Sequence, residues 1–138
     1  MQNVIRIVFD TNTLVSASLS ESSVSFLAFK KGLEIGTFLA SEKTIDELKD
    51  VLFRPKFDKY VSIEKRKQFL VRYLKMVETT DPTETITDCR DVKDNKFLEV
   101  AVAGNTTILV SGDNDLLVLN PYRNINILTS SQFLNWIN

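Results

Sequence analysis

The run Val4-Ile5-Arg6-Ile7-Val8-Phe9 is apolar and β-branched, is interrupted only by Arg6, and stops abruptly on Asp10. A run of this kind, without polar alternation, suits a strand buried on both faces of a parallel sheet. That requirement constrains the fold more than any other feature of the chain, because both faces must then be covered by other elements. In open α/β sheets, ligands gather outside the carboxyl ends of such strands. Asp10 stands at one of those ends, and Thr11 and Asn12 are expected to begin the turn after it.

The rest of the chain alternates in the manner such a sheet needs. Residues 14–19 read as the start of a helix, a serine-rich break follows at Ser22, Ser23 and Ser25, and a helix from Phe26 is expected to end at Gly32. Residues 35–40 read as a second strand. Ser41 is a plausible N-cap for a helix through Phe53 with Ile45, Leu48, Val51 and Leu52 on its apolar face, stopped by Arg54-Pro55. A basic and aromatic connection, residues 54–61, leads into a helix over 63–78. Phe69, Leu70, Tyr73, Leu74 and Val77 line one side of it, and Lys65, Arg66, Lys67, Arg72 and Lys75 the other. Residues 83–87 are expected to form a short edge-like strand. Asp91 then caps a helix over 92–103 that turns Phe97, Leu98, Ala101 and Val102 inward and ends at Gly104-Asn105. Residues 106–110 form the next β-branched strand and run into Ser111-Gly112-Asp113-Asn114-Asp115. A helical turn over 116–119, a break at Asn120-Pro121, a strand over 125–128 and a helix capped by Ser130 complete the pattern. Strands alternating with helices predict an α/β fold with a parallel sheet covered on both faces. With 138 residues and neither repeats nor a Pro/Gly linker, residues 1–138 read as a single domain.

Composition removes most catalytic chemistries. The chain has no histidine, so Ser-His-Asp and Cys-His nucleophile systems are excluded, as are zinc sites built on His or Cys clusters. A lone cysteine, Cys89, allows no internal disulfide and fits a reducing compartment. No stretch approaches the roughly 20 apolar residues that cross a bilayer, and the N-terminus lacks a signal peptide's basic region and apolar core; a cytoplasmic protein without membrane contact is expected. Catalysis, if present, must run on carboxylates, lysines, hydroxyls or a hard metal ion. Charge is also segregated. Residues 43–75 hold ten Lys/Arg against five Asp/Glu, whereas residues 76–138 hold four against nine. Acidic groups of one region can hold a metal while the basic surface of another attracts a polyanion; two solvated helices of different surface charge would look the same.

Two predicted core strands end in acids, on Asp10 and on Asp113. Neighbouring parallel strands would bring the two carboxylates to the same sheet edge. Asp94 lies in the first turn of the helix preceding the second strand, where an aspartate also complements the helix dipole, and Asp91 reads as a cap. Glu47 has a bland alternative as well, since Thr44-Ile45-Asp46-Glu47 matches a capping box. By helical rotation it lies roughly 110° from the middle of the apolar face, on the border between buried and exposed. Clustered carboxylates repel and raise one another's pKa, so a persistent cluster generally binds a cation. Oxygen-only ligands select a hard ion, Mg²⁺ or Mn²⁺ in a cell.

These residues resemble a known family. Ile7-Val8-Phe9-Asp10-Thr11-Asn12 is similar to the opening motif of PIN domain nucleases, and Glu47-Leu48 to that family's glutamate. The stretch Asp91-Val92-Lys93-Asp94-Asn95-Lys96-Phe97-Leu98-Glu99-Val100-Ala101 resembles its third motif, and Leu109-Val110-Ser111-Gly112-Asp113-Asn114-Asp115 its fourth. The tracts 47–57 and 90–97 look closer still to the branch described as toxin components of toxin–antitoxin systems. The resemblance covers nearly the whole chain. It implies a three-layer, Rossmann-like fold with a central parallel sheet of four or five strands, and Mg²⁺- or Mn²⁺-dependent cleavage of single-stranded RNA. Carried over residue by residue, the catalytic acids are Asp10, Glu47, Asp94 and Asp113. Asp115 is an additional metal-binding acid, and Asn12 and Ser111 are supporting polar groups. Ser111 stands where a threonine is common and offers the same hydroxyl.

The expected activity is that of a metal-dependent endoribonuclease in which the acids hold one or two ions and activated water attacks phosphorus. Arg54, Lys56 and Lys59, with the basic face of the 63–78 helix, are the expected electrostatic track for RNA. The rival from another class is a non-catalytic RNA- or protein-binding module of the same family. A phosphatase using Asp10 as nucleophile would want a second acid where the chain has Asn12. Expected partners are single-stranded RNA and an antitoxin protein, and the apolar C-terminal helix with Phe133 and Trp136 either packs on the domain or takes part in a homodimer.

Overall fold

The computed structural model describes residues 5–137, so Val4, at the start of the predicted first strand, lies outside the described residues. Five strands form the sheet: β1 (Ile5–Phe9), β2 (Gly36–Ala40), β3 (Glu78–Thr79), β4 (Ile108–Val110) and β5 (Asn126–Leu128). Their order is β3-β2-β1-β4-β5, and every pairing is parallel. Among the described residues, six α-helices connect them and a seventh follows β5: α1 (Thr11–Leu19), α2 (Val24–Ile35), α3 (Glu42–Leu52), α4 (Ile63–Met76), α5 (Asn95–Ala103), α6 (Asn114–Leu117) and α7 (Ser130–Leu134). This is the α/β architecture that the unbroken apolar strands demand. Among the described residues, no helix is long and apolar enough to cross a membrane.

Strand side chains alternate between two cores. Ile5, Ile7 and Phe9 of β1, Phe38 and Ala40 of β2, and Ile108 and Val110 of β4 enter one core with α1, α2, α3, α4 and α7. Val8, Leu39, Leu109 and Ile127 point the other way, against α5 and α6. The first core is aromatic, with Phe9 and Phe38 meeting edge to face at 4.9 Å between centroids. α7 packs onto this core through fully buried Phe133, and Lys31 of α2 donates to the carbonyls of Phe133, Leu134 and Trp136 at the chain end. Packing on the domain is thus the observed fate of the apolar C-terminal helix.

Several boundaries differ from the sequence expectation, each for a physical reason. No turn follows Asp10: its side chain accepts from Thr13 N–H, and α1 begins at once with Thr11. Gly32 does not end its helix. It lies buried inside α2, where a Cβ would come within 2.7 Å of the Phe38 ring, so the glycine serves close helix–sheet packing rather than a cap. The capping box of α3 is made by Ser41 and Thr44, not by Thr44 and Glu47, which leaves Glu47 free for other contacts. The predicted helix over 63–78 stops at Met76 because Glu78 and Thr79 pair with Leu39 and Ala40 as the edge strand. That pairing also takes the edge the 83–87 stretch was expected to occupy. Residues 83–87 form no strand; Ile86 turns inward there, its N–H donating to the Glu99 carboxylate. The predicted helix over 92–103 is split into a 3-10 turn at Val92–Asp94 and α5 proper. Thr129, not Ser130, caps α7, with Gln132 as its reciprocal partner. Arg66 is not on the solvent face of α4 but is 0% exposed.

Candidate active site

Adjacency of β1 and β4, with Phe9 beside Val110, brings the segments after both strands to one sheet edge. Asp10 N–H donates to Val110 O at 3.0 Å, and Ser111 N–H to Leu128 O at 2.9 Å, so the ladder continues to the site itself. Asp10 is 4% exposed and both carboxylate oxygens are engaged. One accepts from Thr13 N–H at 2.9 Å and the other from the Ser111 hydroxyl. The Ser111 hydroxyl oxygen in turn accepts Asp113 N–H at 2.9 Å, and an Asp113 carboxylate oxygen accepts Asp115 N–H at 2.8 Å. A chain of hydrogen bonds therefore fixes Asp10 against the Ser111–Asp115 turn. Burial pushes the Asp10 carboxyl above its ordinary value, opposed by the Ser111 and Thr13 hydrogen bonds.

Asp91, Asp94 and Asp113 converge, each with an oxygen within 4.8 Å of the others. Asp91 caps the 3-10 turn by accepting from Lys93 N–H at 3.1 Å, whereas the Asp94 side chain makes no capping bond and remains directed to the cluster. Burial first, and then a hydrogen bond and repulsion from Asp113, raise the Asp94 carboxyl to about 7. Its Oδ2 is buried without a hydrogen-bond partner. Such an atom normally has one, and leaving it unmatched carries a desolvation cost. Three converging carboxylates, one with an orphaned buried oxygen, form an all-oxygen donor set that fits a hard divalent cation.

The sequence-predicted residues thus separate into groups. Asp94 and Asp113 come together, and Asp10 stands next to them, near enough that the Asp113 charge helps raise the Asp10 carboxyl and the Asp10 charge helps raise that of Asp94. Asp115 lies on the first turn of α6, half-buried, and Asn12 is exposed on α1. Glu47 falls outside the cluster and forms an ion pair with Lys96 of α5. A cleft of about 260 Å³ beside the acids is lined by Asp10, Asn12, Ser16, Ser25, Asp113 and Ser130, among others. Arg54, Lys56 and Lys59 are exposed on the connection after α3 and do not line it. Arg54 pairs with Asp50 at 3.1 Å.

Two participants were not singled out from sequence. Asp91 was read only as a cap, yet three residues bring side chains of a 3-10 turn onto one face, so its spacing from Asp94 was the available signal. Lys96 follows Asp94 by two positions, and only the approach of α3 to α5 reveals its partner.

Comparison with known proteins agrees with this fold. A PIN domain family model matches residues 6–115. An uncharacterised protein of Methanocaldococcus jannaschii, MJ1680, is 30% identical over 134 residues, covering 88% of this chain and 81% of that protein. Among solved structures, PAE2754 from Pyrobaculum aerophilum superposes with a TM-score of 0.60 at 15% identity, over 95% of this chain and 88% of that one. VapBC2 from Rickettsia felis, bound to a DNA fragment from their promoter, also gives 0.60, at 16% identity, over 89% of this chain and 97% of that one.

Proposed function

This chain belongs to the PIN domain family, and from that premise we propose that it is a divalent-metal-dependent endoribonuclease acting on single-stranded RNA. One observation carries the reading: Asp91, Asp94 and Asp113 converge within 4.8 Å at the strand ends, with Asp10 held beside them. Asp94 and Asp113, with Asp91, would hold Mg²⁺ or Mn²⁺, and Asp10 completes the set from β1, with Glu47 and Asp115 as outer carboxylates. When bound there, the ion supplies Lewis acidity toward a phosphodiester and activation of water. The protein's own groups do the positioning. Ser111 locks the Asp10 side chain, and Asp115 N–H fixes Asp113. Lys96 neutralises Glu47, so that this carboxylate adds no further repulsion to the acids. Asn12 and the serine hydroxyls of the cleft offer neutral hydrogen bonds to the substrate.

The toxin role belongs to the same reading. It is supported by the tracts 47–57 and 90–97 and by the likeness to a VapBC2 structure; its partner would be an antitoxin protein. Purified protein incubated with single-stranded RNA tests the activity. Cleavage is expected with Mn²⁺ or Mg²⁺, none in EDTA, and a loss on the order of a hundredfold or more in Asp94→Asn and Asp113→Asn. Wild-type rates in either variant would remove the acids from catalysis. RNA binding indifferent to EDTA, with no cleavage under any metal, would make the chain a non-catalytic binding module.

A further inference from the structure

The cleft beside the acids shares α1 with a second cavity. Asp10, Asn12 and Ser16, at the start of the helix, line the first. Residues 17–20, at its end, form one wall of a second groove of about 430 Å³. α1 has nine residues, which puts the two within about 13 Å along its axis. The opposite wall of the groove comes from α4 and the residues before it, and it combines Lys65, Gln68 and Arg72 with Tyr60 and Phe69. Lys65 and Arg72 are exposed, Glu21 is the lone acid among the lining residues, and Tyr60 is 61% exposed with the Lys59 ammonium over one face of its ring, 5.2 Å from the centroid. Cations for phosphates beside an open aromatic face for a base are the pairing by which proteins hold single strands.

The geometry points to this groove as the track of the single-stranded RNA that enters the acid site, its phosphates facing Lys65 and Arg72 and a base stacked on Tyr60. The inference rests on the ribonuclease reading for its substrate class. Of the track expected from sequence, it keeps Lys65 and Arg72 of the basic helix face, which share a cavity with α1, and drops Arg54, which pairs with Asp50, and Lys56, which lies over the Phe57 ring. The continuity through α1 matters because it gives a strand in the groove a short path to Asp10 and Asp113, which line the first cleft.

The test is binding without cleavage. Fluorescence anisotropy of a labelled single-stranded RNA of about twelve nucleotides, in EDTA and between about 50 and 200 mM salt, compares wild type with three variants. Lys65→Ala/Arg72→Ala is expected to weaken binding roughly tenfold and to lower the slope of log affinity against log salt by about 1.4, two phosphate contacts' worth. Tyr60→Ala is expected to lose roughly fivefold or more, and Tyr60→Phe to recover it, since the ring rather than the hydroxyl stacks. Lys30→Ala/Lys49→Ala removes the same charge from exposed positions outside the groove and is expected to change affinity by less than about twofold. Unchanged affinity and slope in Lys65→Ala/Arg72→Ala, the result for a groove that seats a protein instead, overturns the inference; so does an equal loss in the Lys30/Lys49 control. Cleavage in Mn²⁺ alongside identical binding by all variants sinks the groove and leaves the nuclease reading standing. Groove-dependent binding with no cleavage in any metal does the reverse.

Discussion

Asp94 is subject to several effects that act in one direction. Burial, the Asp113 carboxyl, and the charges of Asp91 and Asp10 together raise it from 3.8 to about 7. A folded-state pKa above the unfolded one means that the folded protein keeps a proton the unfolded chain has already released. This group therefore favours folding below about pH 4 relative to higher pH, and that advantage is lost as pH rises toward 7. In EDTA, wild-type protein should lose stability relative to Asp94→Asn across that window, and Asp94→Asn should be the more stable of the two above pH 7. The difference is on the order of 1 kcal/mol once solvent screening is allowed for. Urea melts of both proteins at several pH values decide it, and parallel stability curves would mean that Asp94 carries no excess repulsion. Its place in the first turn of the helix before an acid-ended strand, and the resemblance of residues 91–101 to a family motif, made this residue visible in the sequence. Its orphaned oxygen was not visible, because that depends on the turn after β4 coming back to meet it.

At the scale of elements, Arg66 shows what periodicity holds and what it hides. It precedes Phe69, Leu70 and Tyr73 by three, four and seven residues, so the spacing already put it on the apolar face of α4. Its charge alone argued for solvent. The structure resolves the conflict by supplying partners: the guanidinium donates to Leu52 O at 3.1 Å, to Arg54 O at 3.4 Å and to the Asp58 carboxylate. Arg66 thus ties the end of α3 and the following connection to α4. Arg66→Ala should destabilise by about 3 kcal/mol, because it opens a cavity and strands buried carbonyls; a loss below about 1 kcal/mol by urea denaturation would mean that water replaces the guanidinium freely. Glycines give a paired case. A Cβ on Gly36, at the start of β2, would meet Ile5 O at 2.4 Å, a backbone atom that cannot move aside without breaking the β1–β2 register. A Cβ on Gly112, between Ser111 and Asp113, would meet nothing within 4 Å. Gly36→Ala should therefore lower the melting temperature by several degrees, on the order of 2 kcal/mol, while Gly112→Ala should leave it within about a degree. Equal melting temperatures for the two variants would contradict the close approach of β1 and β2. Composition does not distinguish these two glycines; only the strand pairing does.

At the scale of the molecule, unbroken apolar strands made two-sided burial legible, and the two cores that share β1, β2 and β4 are its consequence. The strand order 3-2-1-4-5 was not legible. It depends on which side of β1 each crossover returns to, and the chain carries no local signal for that choice. Yet this order decides the site, since it puts β4 beside β1 and brings Asp113 to Asp10. The fold thus holds like charges together at one edge, against their repulsion, by packing elsewhere. A cation that binds the folded cluster and not the unfolded chain should then stabilise the whole protein. At about 100 times its dissociation constant, Mn²⁺ would add about 2.7 kcal/mol, a rise in melting temperature on the order of 10 °C for a chain of this size. The Asp94→Asn/Asp113→Asn variant should melt higher than wild type in EDTA, because repulsion is relieved, and should show little further shift with Mn²⁺. A generally weakened protein would melt lower than wild type in EDTA, so it cannot mimic this pair of responses. An equal Mn²⁺ shift in wild type and variant would place the cation on some other part of the surface.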